Sequence, residues 1–204
     1  GATLTGGKDV TISATGSHGV NTTAEGGGTA KDGTGVGGAL ALTVADNETE
    51  AKIGTGTGLD VTGKVAVTAT HHGASVTTAK GDGTGSSTAV GVALALGFVD
   101  DSARATTARN ITADGAVSFT ASADGSSQSE AIASATGTTK EAESDKGSSK
   151  ADDQSKSAAG TASKQSGETK TVDDKKGSAS TESGSVSVAA SLALNISNND
   201  AIAT

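Results

Sequence analysis

The chain contains no cysteine, proline, methionine, tryptophan or tyrosine, and its two aromatic residues are Phe98 and Phe119. Absence of cysteine excludes disulfides and thiolate metal sites. Absence of large side chains leaves a compact globular core with little to fill it. Positive charge is also scarce. Fifteen Lys and Arg against 23 Asp and Glu give a net charge of −8, which disfavours phosphate contacts and so nucleic-acid binding. No apolar run approaches the ~20 residues of a membrane helix, so no membrane insertion by this segment is expected. The apolar stock is Ala, Val, Leu and Ile, and 30 of the 204 residues are Gly. Such a composition suits a thin core of stacked strands joined by tight turns.

The chain repeats. GVGGALALTVADNETEA (35–51) matches AVGVALALGFVDDSARA (89–105) at an offset of 54, and SVSVAASLALNISNNDAIA (185–203) less closely. Leu40, Leu94 and Leu192 correspond, as do Val44, Phe98 and Ile196. A second element precedes each: LTGGKDVTISAT (4–15), LDVTGKVAVTAT (59–70) and ITADGAVSFTAS (111–122). Leu4, Leu59 and Ile111 each stand six residues before Val10, Val65 and Val117. Three copies of a unit of roughly 54 residues result, at 1–54, 55–108 and 109–204. The phase suggests an excerpt from a longer repetitive protein, with further repeats or a symmetric neighbour continuing the stack.

Within each unit the pattern has period two. Val90, Val92, Leu94, Leu96 and Phe98 share one face of a strand, as do Val10, Ile12 and Ala14. Both sets are expected to face a common core. The Gly-rich stretches at 26–28, 33–38 and 81–85 read as turns between strands. The fold class is therefore all-β, a parallel β-helix (β-solenoid) of about three repeats. It is expected to be right-handed because most parallel crossovers are. A unit of this length suggests two coils.

The third unit carries an insertion of roughly 45 residues, because Phe119 to Leu192 spans 73 positions where Val67 to Leu94 spans 27. The insert falls within 137–183, holds eight Lys and nine acidic residues, and has Val172 as its one large aliphatic residue. This composition buries too little apolar area to offset its ordering entropy. It reads as an exposed excursion or a projecting arm.

Candidate chemistry is sparse. His18, His71 and His72 fall in the GSHG and THHG segments, read as exposed turns. No nucleophile elbow or phosphate loop occurs. A β-helical glycan-active enzyme would need clustered carboxylates, basic residues and aromatic platforms, and the chain has two Arg and two Phe. The recurring polar set is Asp46-Asn47-Glu48, Asp100-Asp101-Ser102 and Asn198-Asn199-Asp200. Such residues cap turns and form ladders. Their oxygens are also calcium ligands, with Asp46, Asp100, Asp101 and Asp200 as the candidate metal residues. No other cofactor is expected.

The GxVxGALALxVxDN segment together with a DVTxxAT strand resembles the repeats of giant bacterial surface proteins, the filamentous-haemagglutinin-like and autotransporter-type β-solenoid adhesins. The resemblance covers the three units and excludes the insert. It implies secretion, an extracellular position at the bacterial cell surface, a fibrous shape and adhesion to a host or partner cell. It carries no catalytic residues. The expected function is a structural stalk or fibre segment of an adhesin, not an enzyme. A self-assembling extracellular filament subunit is the alternative, and a β-helical glycan-active enzyme a weaker one. The expected partners are neighbouring repeats or copies of the same chain.

Overall fold

The computed structural model describes residues 7–137, 175–182 and 186–204, the segment 175–182 by its backbone alone. Among the described residues nine strands follow in order: β1 (Val10–Ala30), β2 (Thr34–Ile53), β3 (Leu59–Val61), β4 (Val65–Gly85), β5 (Thr88–Thr107), β6 (Ile111–Ala113), β7 (Val117–Gly137), β8 (Lys175–Glu182) and β9 (Val186–Ala203). No helix occurs among the described residues. All pairings are parallel. One sheet has the order β1-β4-β7-β8, a second β2-β5-β9, and a short third β3-β6. The chain is a parallel β-solenoid.

The repeat register is the structural register. Val10 pairs with Val65 and Val65 with Val117, while Leu40 pairs with Leu94 and Leu94 with Leu192. One unit therefore makes one coil and not two, since equivalent residues of successive units are direct ladder neighbours. The expectation of two coils assumed short strands. These strands run to 21 residues, well beyond the usual 5–6.

Each coil is a tapering wedge with two long sides and a short base. The inward residues grade in size along the strands. At the base Val10, Ile53, Leu59, Val61, Val65 and Val67 form an aliphatic cluster, against which Ile12 and Phe119 pack. Next comes a polar belt, and then an alanine layer of Ala41, Ala79, Ala93, Ala95, Ala131, Ala133 and Ala193. At the far edge the sheets meet backbone to backbone. A Cβ on Gly26 would collide with the Gly38 carbonyl oxygen, and one on Gly81 with the Val92 carbonyl. Only glycine permits that approach.

This closeness inverts one expectation. Leu40, Leu94 and Leu192, with the row Val90, Val92, Leu94, Leu96 and Phe98, do not face the core. The alternate row of Ala and Gly does, because the opposing sheet leaves room for nothing larger. Ala93 is 1% exposed, whereas Leu40 is 61% and Val44 74% exposed. Val10 and Val65 are buried as expected, but Val117, in the third layer, is largely exposed.

The Gly-rich stretches are also mostly strand. The segments 26–28 and 34–38 lie in β1 and β2, and 81–85 in β4. The sharp reversal lies at Lys31–Gly33, where Gly33 has φ of 102°, a conformation that suits glycine. Its N–H donates to Ser86 Oγ of the next layer at 2.7 Å, so the turns stack as the strands do. At the base Arg109 donates to the carbonyls of Gly54 (2.6 Å) and Thr55 (3.2 Å) and pins the preceding loop.

Of the insert at 137–183, residues 138–174 and 183 lie outside the described residues. Residues 175–182 are not an excursion. They form β8, which adds a fourth strand beside β7, from Ser129↔Lys175 to Thr136↔Glu182, before β9 joins the other sheet. The leading Leu4 lies outside the described residues as well.

Candidate functional site

Among the described residues, the polar belt between the two apolar zones is the place where chemistry-bearing side chains converge inside the stack. Asn47 on β2, Asp101 on β5 and Asn199 on β9 occupy one column of the ladder. Their odd positions share the inward parity of Ala41, Ala95 and Ala193. His71 on β4 faces this column from the opposite sheet.

The contacts form a continuous network. His71 Nδ1 lies 2.9 Å from Thr49 Oγ1, and His71 Nε2 lies 3.1 Å from Asp101 Oδ1. Asn47 Nδ2 donates to the same Asp101 oxygen at 2.8 Å, which ties the first layer to the second. Both His71 and Asp101 are 0% exposed. Gly73 and Gly125 lie against the Asp101 carboxylate so closely that a Cβ at either would collide with it. Asp101 Oδ2 is buried without a hydrogen-bond partner. His18 stacks on His71, with ring centroids 5.1 Å apart and planes 22° from parallel.

Two further polar rungs continue the belt. Thr77 Oγ1 donates to Thr43 Oγ1 (2.7 Å), which donates to Thr22 Oγ1 (2.8 Å). In the third layer Asn195 Nδ2 donates to the Ser127 carbonyl at 2.7 Å, and Ser127 Oγ donates back to Asn195 Oδ1 at 2.7 Å. Such rungs satisfy polar groups that sheet stacking would otherwise strand in a dry interior.

The order Thr49–His71–Asp101 is that of a hydroxyl–imidazole–carboxylate relay. Its packing is that of a structural crosslink, because its members are buried between backbones. A shallow depression of about 370 Å³ lies nearby, lined by His72, Gly73, Ala123, Asp124, Gly125, Ser126 and Asn199. His72 points outward there, with Nδ1 3.8 Å from Asp124 Oδ2.

The histidines thus depart from the turn reading. His18, His71 and His72 all lie within strands. The inward position of His71 has a signal in the sequence: it stands an even number of residues from Val65, Val67 and Ala69.

The calcium candidates divide between the two faces. Asp46 and Asp100 stack in one outward column with Asn198, whose Nδ2 donates to Asp100 Oδ1 at 3.4 Å. Asp200 lies in the neighbouring outward column, in register with Ser102 and Glu48. Asp101 points into the core. These segments are mid-strand, since β2, β5 and β9 continue past them to Ile53, Thr107 and Ala203. Among the described residues, no three His, Cys, Asp or Glu side chains converge as a metal-binding group.

Comparison with family models, with curated proteins and with solved structures finds no match to this chain. Functional readings rest on the geometry itself.

Proposed function

We propose that the chain is a structural stalk segment of a secreted bacterial adhesin, positioned outside the cell and holding an attachment function away from the surface. The observation that carries this reading is the unbroken in-register ladder, layer on layer, along both long sheets. A stack of this kind adds about 4.8 Å of height per coil and transmits load through every backbone bond of the layer. Its polar belt crosslinks layers without serving a solvent-facing site. The acidic, Lys-poor repeats favour solubility at a cell surface over nucleic-acid binding. In this reading the chain is not an enzyme and needs no cofactor. The outward column of Asp46 and Asp100 is where calcium would be sought. Self-assembly into an extracellular filament is the alternative, favoured by the apolar outer face of β2-β5-β9.

The test places this chain between a surface anchor and a module of known binding. Full-length spacer should preserve cell attachment and extend the module's reach, and removing 55–108 should shorten it by about one 4.8 Å layer. Loss of attachment with the spacer present, or a reach that does not change with the number of units, would overturn the stalk reading. Hydrolysis or elimination of any acidic polysaccharide in a panel would overturn the non-enzymatic part. Electron microscopy separates the filament alternative, which requires long fibres and not isolated short rods.

A further inference from the structure

The larger aliphatic side chains of β2, β5 and β9 lie on the outside of the stack. Val36, Leu40, Leu42 and Val44 are 62, 61, 52 and 74% exposed, and Val92 and Val188 are 44 and 50% exposed. Outward residues of the other long sheet are mostly polar, among them Thr23, Glu25, His72, Lys80 and Asp82. Val76 and Ile132 are isolated apolar positions there, and no continuous aliphatic row occurs among the described residues. A one-residue shift of register would exchange the two rows of β2-β5-β9 and place Leu inside and Ala outside. The glycine contacts forbid that exchange. The aliphatic row is therefore held outward by the core, as a flat face of one chemistry.

We infer that this face pairs with the same face of a second copy. Charge selects the arrangement. On each strand the outward row turns charged or polar after the aliphatic block, with acids in excess. Asp46, Glu48 and Glu50 precede Lys52 on β2, Asp100 precedes Arg104 on β5, and Asn198 precedes Asp200 on β9, while Lys52 pairs with Glu50 and Arg104 with Glu48. A two-fold axis along the strands would lay one acid-rich block on another. A two-fold axis parallel to the stack, through the column Leu40, Leu94 and Leu192, opposes each Leu to its twin. It places Val36 on Val44 and Val90 on Phe98. Asp46 then meets Thr34, and Asp100 meets Thr88, both uncharged. The solenoid axes run parallel and the facing strands antiparallel, an isologous contact.

The size fits a pairing that builds with length. Val36 to Val44 spans about 26 Å, and three strands about 14 Å, so the face covers about 370 Å² in projection. Monomers seldom leave contiguous apolar patches larger than a few hundred Å² uncovered. Protruding side chains bury more than the projection, yet three layers stay below the about 1,200 Å² total of standard specific interfaces, so the pairing at this length is expected to be weak. Each added layer widens the face. The inference rests on the stack and not on the adhesive reading: a chain that pairs yet confers no attachment keeps the one and removes the other.

The cysteine-free chain allows a direct test. Sedimentation from micromolar to millimolar concentration should show a particle of twice the 19.3 kDa chain mass. The double variant Leu40→Thr, Leu94→Thr keeps strand propensity and should raise the dissociation constant at least tenfold with an unchanged circular dichroism spectrum. Under mild oxidation Leu94→Cys should crosslink to its own copy. Val36→Cys should crosslink to Val44→Cys and not to itself. A chain that stays monomeric throughout would overturn the pairing. So would crosslinking of Leu94→Cys no faster than that of Thr23→Cys on the other sheet. A monomer that floats with phosphatidylcholine vesicles would assign the face to lipid instead.

Discussion

His71 Nε2 and Asp101 Oδ1 sit 3.1 Å apart on strands that face each other across the stack, and neither side chain reaches solvent. Asp101 Oδ1 also accepts from Asn47 Nδ2 of the layer before. One carboxylate thus joins the two sheets and two successive coils.

Removing that carboxylate strands both donors. Asp101→Ala is expected to cost about 2–6 kcal/mol, about 1–3 kcal/mol for each buried donor left without its acceptor. Asp101→Asn extends the amide column of Asn47 and Asn199 and is expected to cost about 1–3 kcal/mol, as for an imperfectly matched buried hydrogen bond. Urea unfolding of the whole chain, with midpoints and slopes compared, checks both.

Close approach of the sheets makes glycine positions unequal. At Gly81 a Cβ would meet the Val92 carbonyl, whereas at Gly19 it would meet nothing within 4 Å. Gly81→Ala is expected to destabilise by more than about 3 kcal/mol, beyond ordinary overpacking because the obstacle is backbone. Gly19→Ala is expected to be neutral or to stabilise by up to about 1 kcal/mol through the unfolded chain. Thermal melts of the two variants side by side decide the matter.

The inward and outward rows should respond oppositely to volume. Ala95 is buried in the alanine layer, and Leu96 faces outward. Ala95→Leu is expected to cost at least about 1–3 kcal/mol by overpacking. Leu96→Thr retains a strand-favouring residue at a surface position and is expected to stay within about 0.5 kcal/mol for the isolated chain below its pairing concentration. Denaturant midpoints measured in dilute solution test the pair of predictions.

Much of the stack was legible in the sequence, because repetition reports register directly. The correspondences Val10/Val65/Val117 and Leu40/Leu94/Leu192 are the ladder pairs themselves. The buried face was not legible by the usual rule. Alternation separates two faces, and the larger apolar row is normally assigned to the core. In β5 both rows are apolar, Ala93 and Ala95 on one side and Leu94 and Leu96 on the other. The deciding signal was the parity of glycine: Gly35 and Gly37 share the row of Ala39 and Ala41, and Gly91 that of Ala93. Glycine on the inward row of both facing strands means backbone contact, which leaves no room for leucine. The THHG segment, with Gly73 two residues after His71, reads as a turn, although the parity of His71 with Val65 and Val67 puts it in the core row. Its partner Asp101 lies 30 residues away. No local pattern joins them, since their meeting depends on where β4 turns back as β5.

A double-mutant cycle between His71 and Asp101 tests the account most directly. The two meet only if the alanine row faces inward and if β4 and β5 close one coil. Unfolding free energies of the whole chain, His71→Ala, Asp101→Ala and the double variant should give a coupling of about 1–3 kcal/mol, as for residues in one buried network. Additivity of the two substitutions, with coupling near zero, would contradict both the inward row and the one-coil unit.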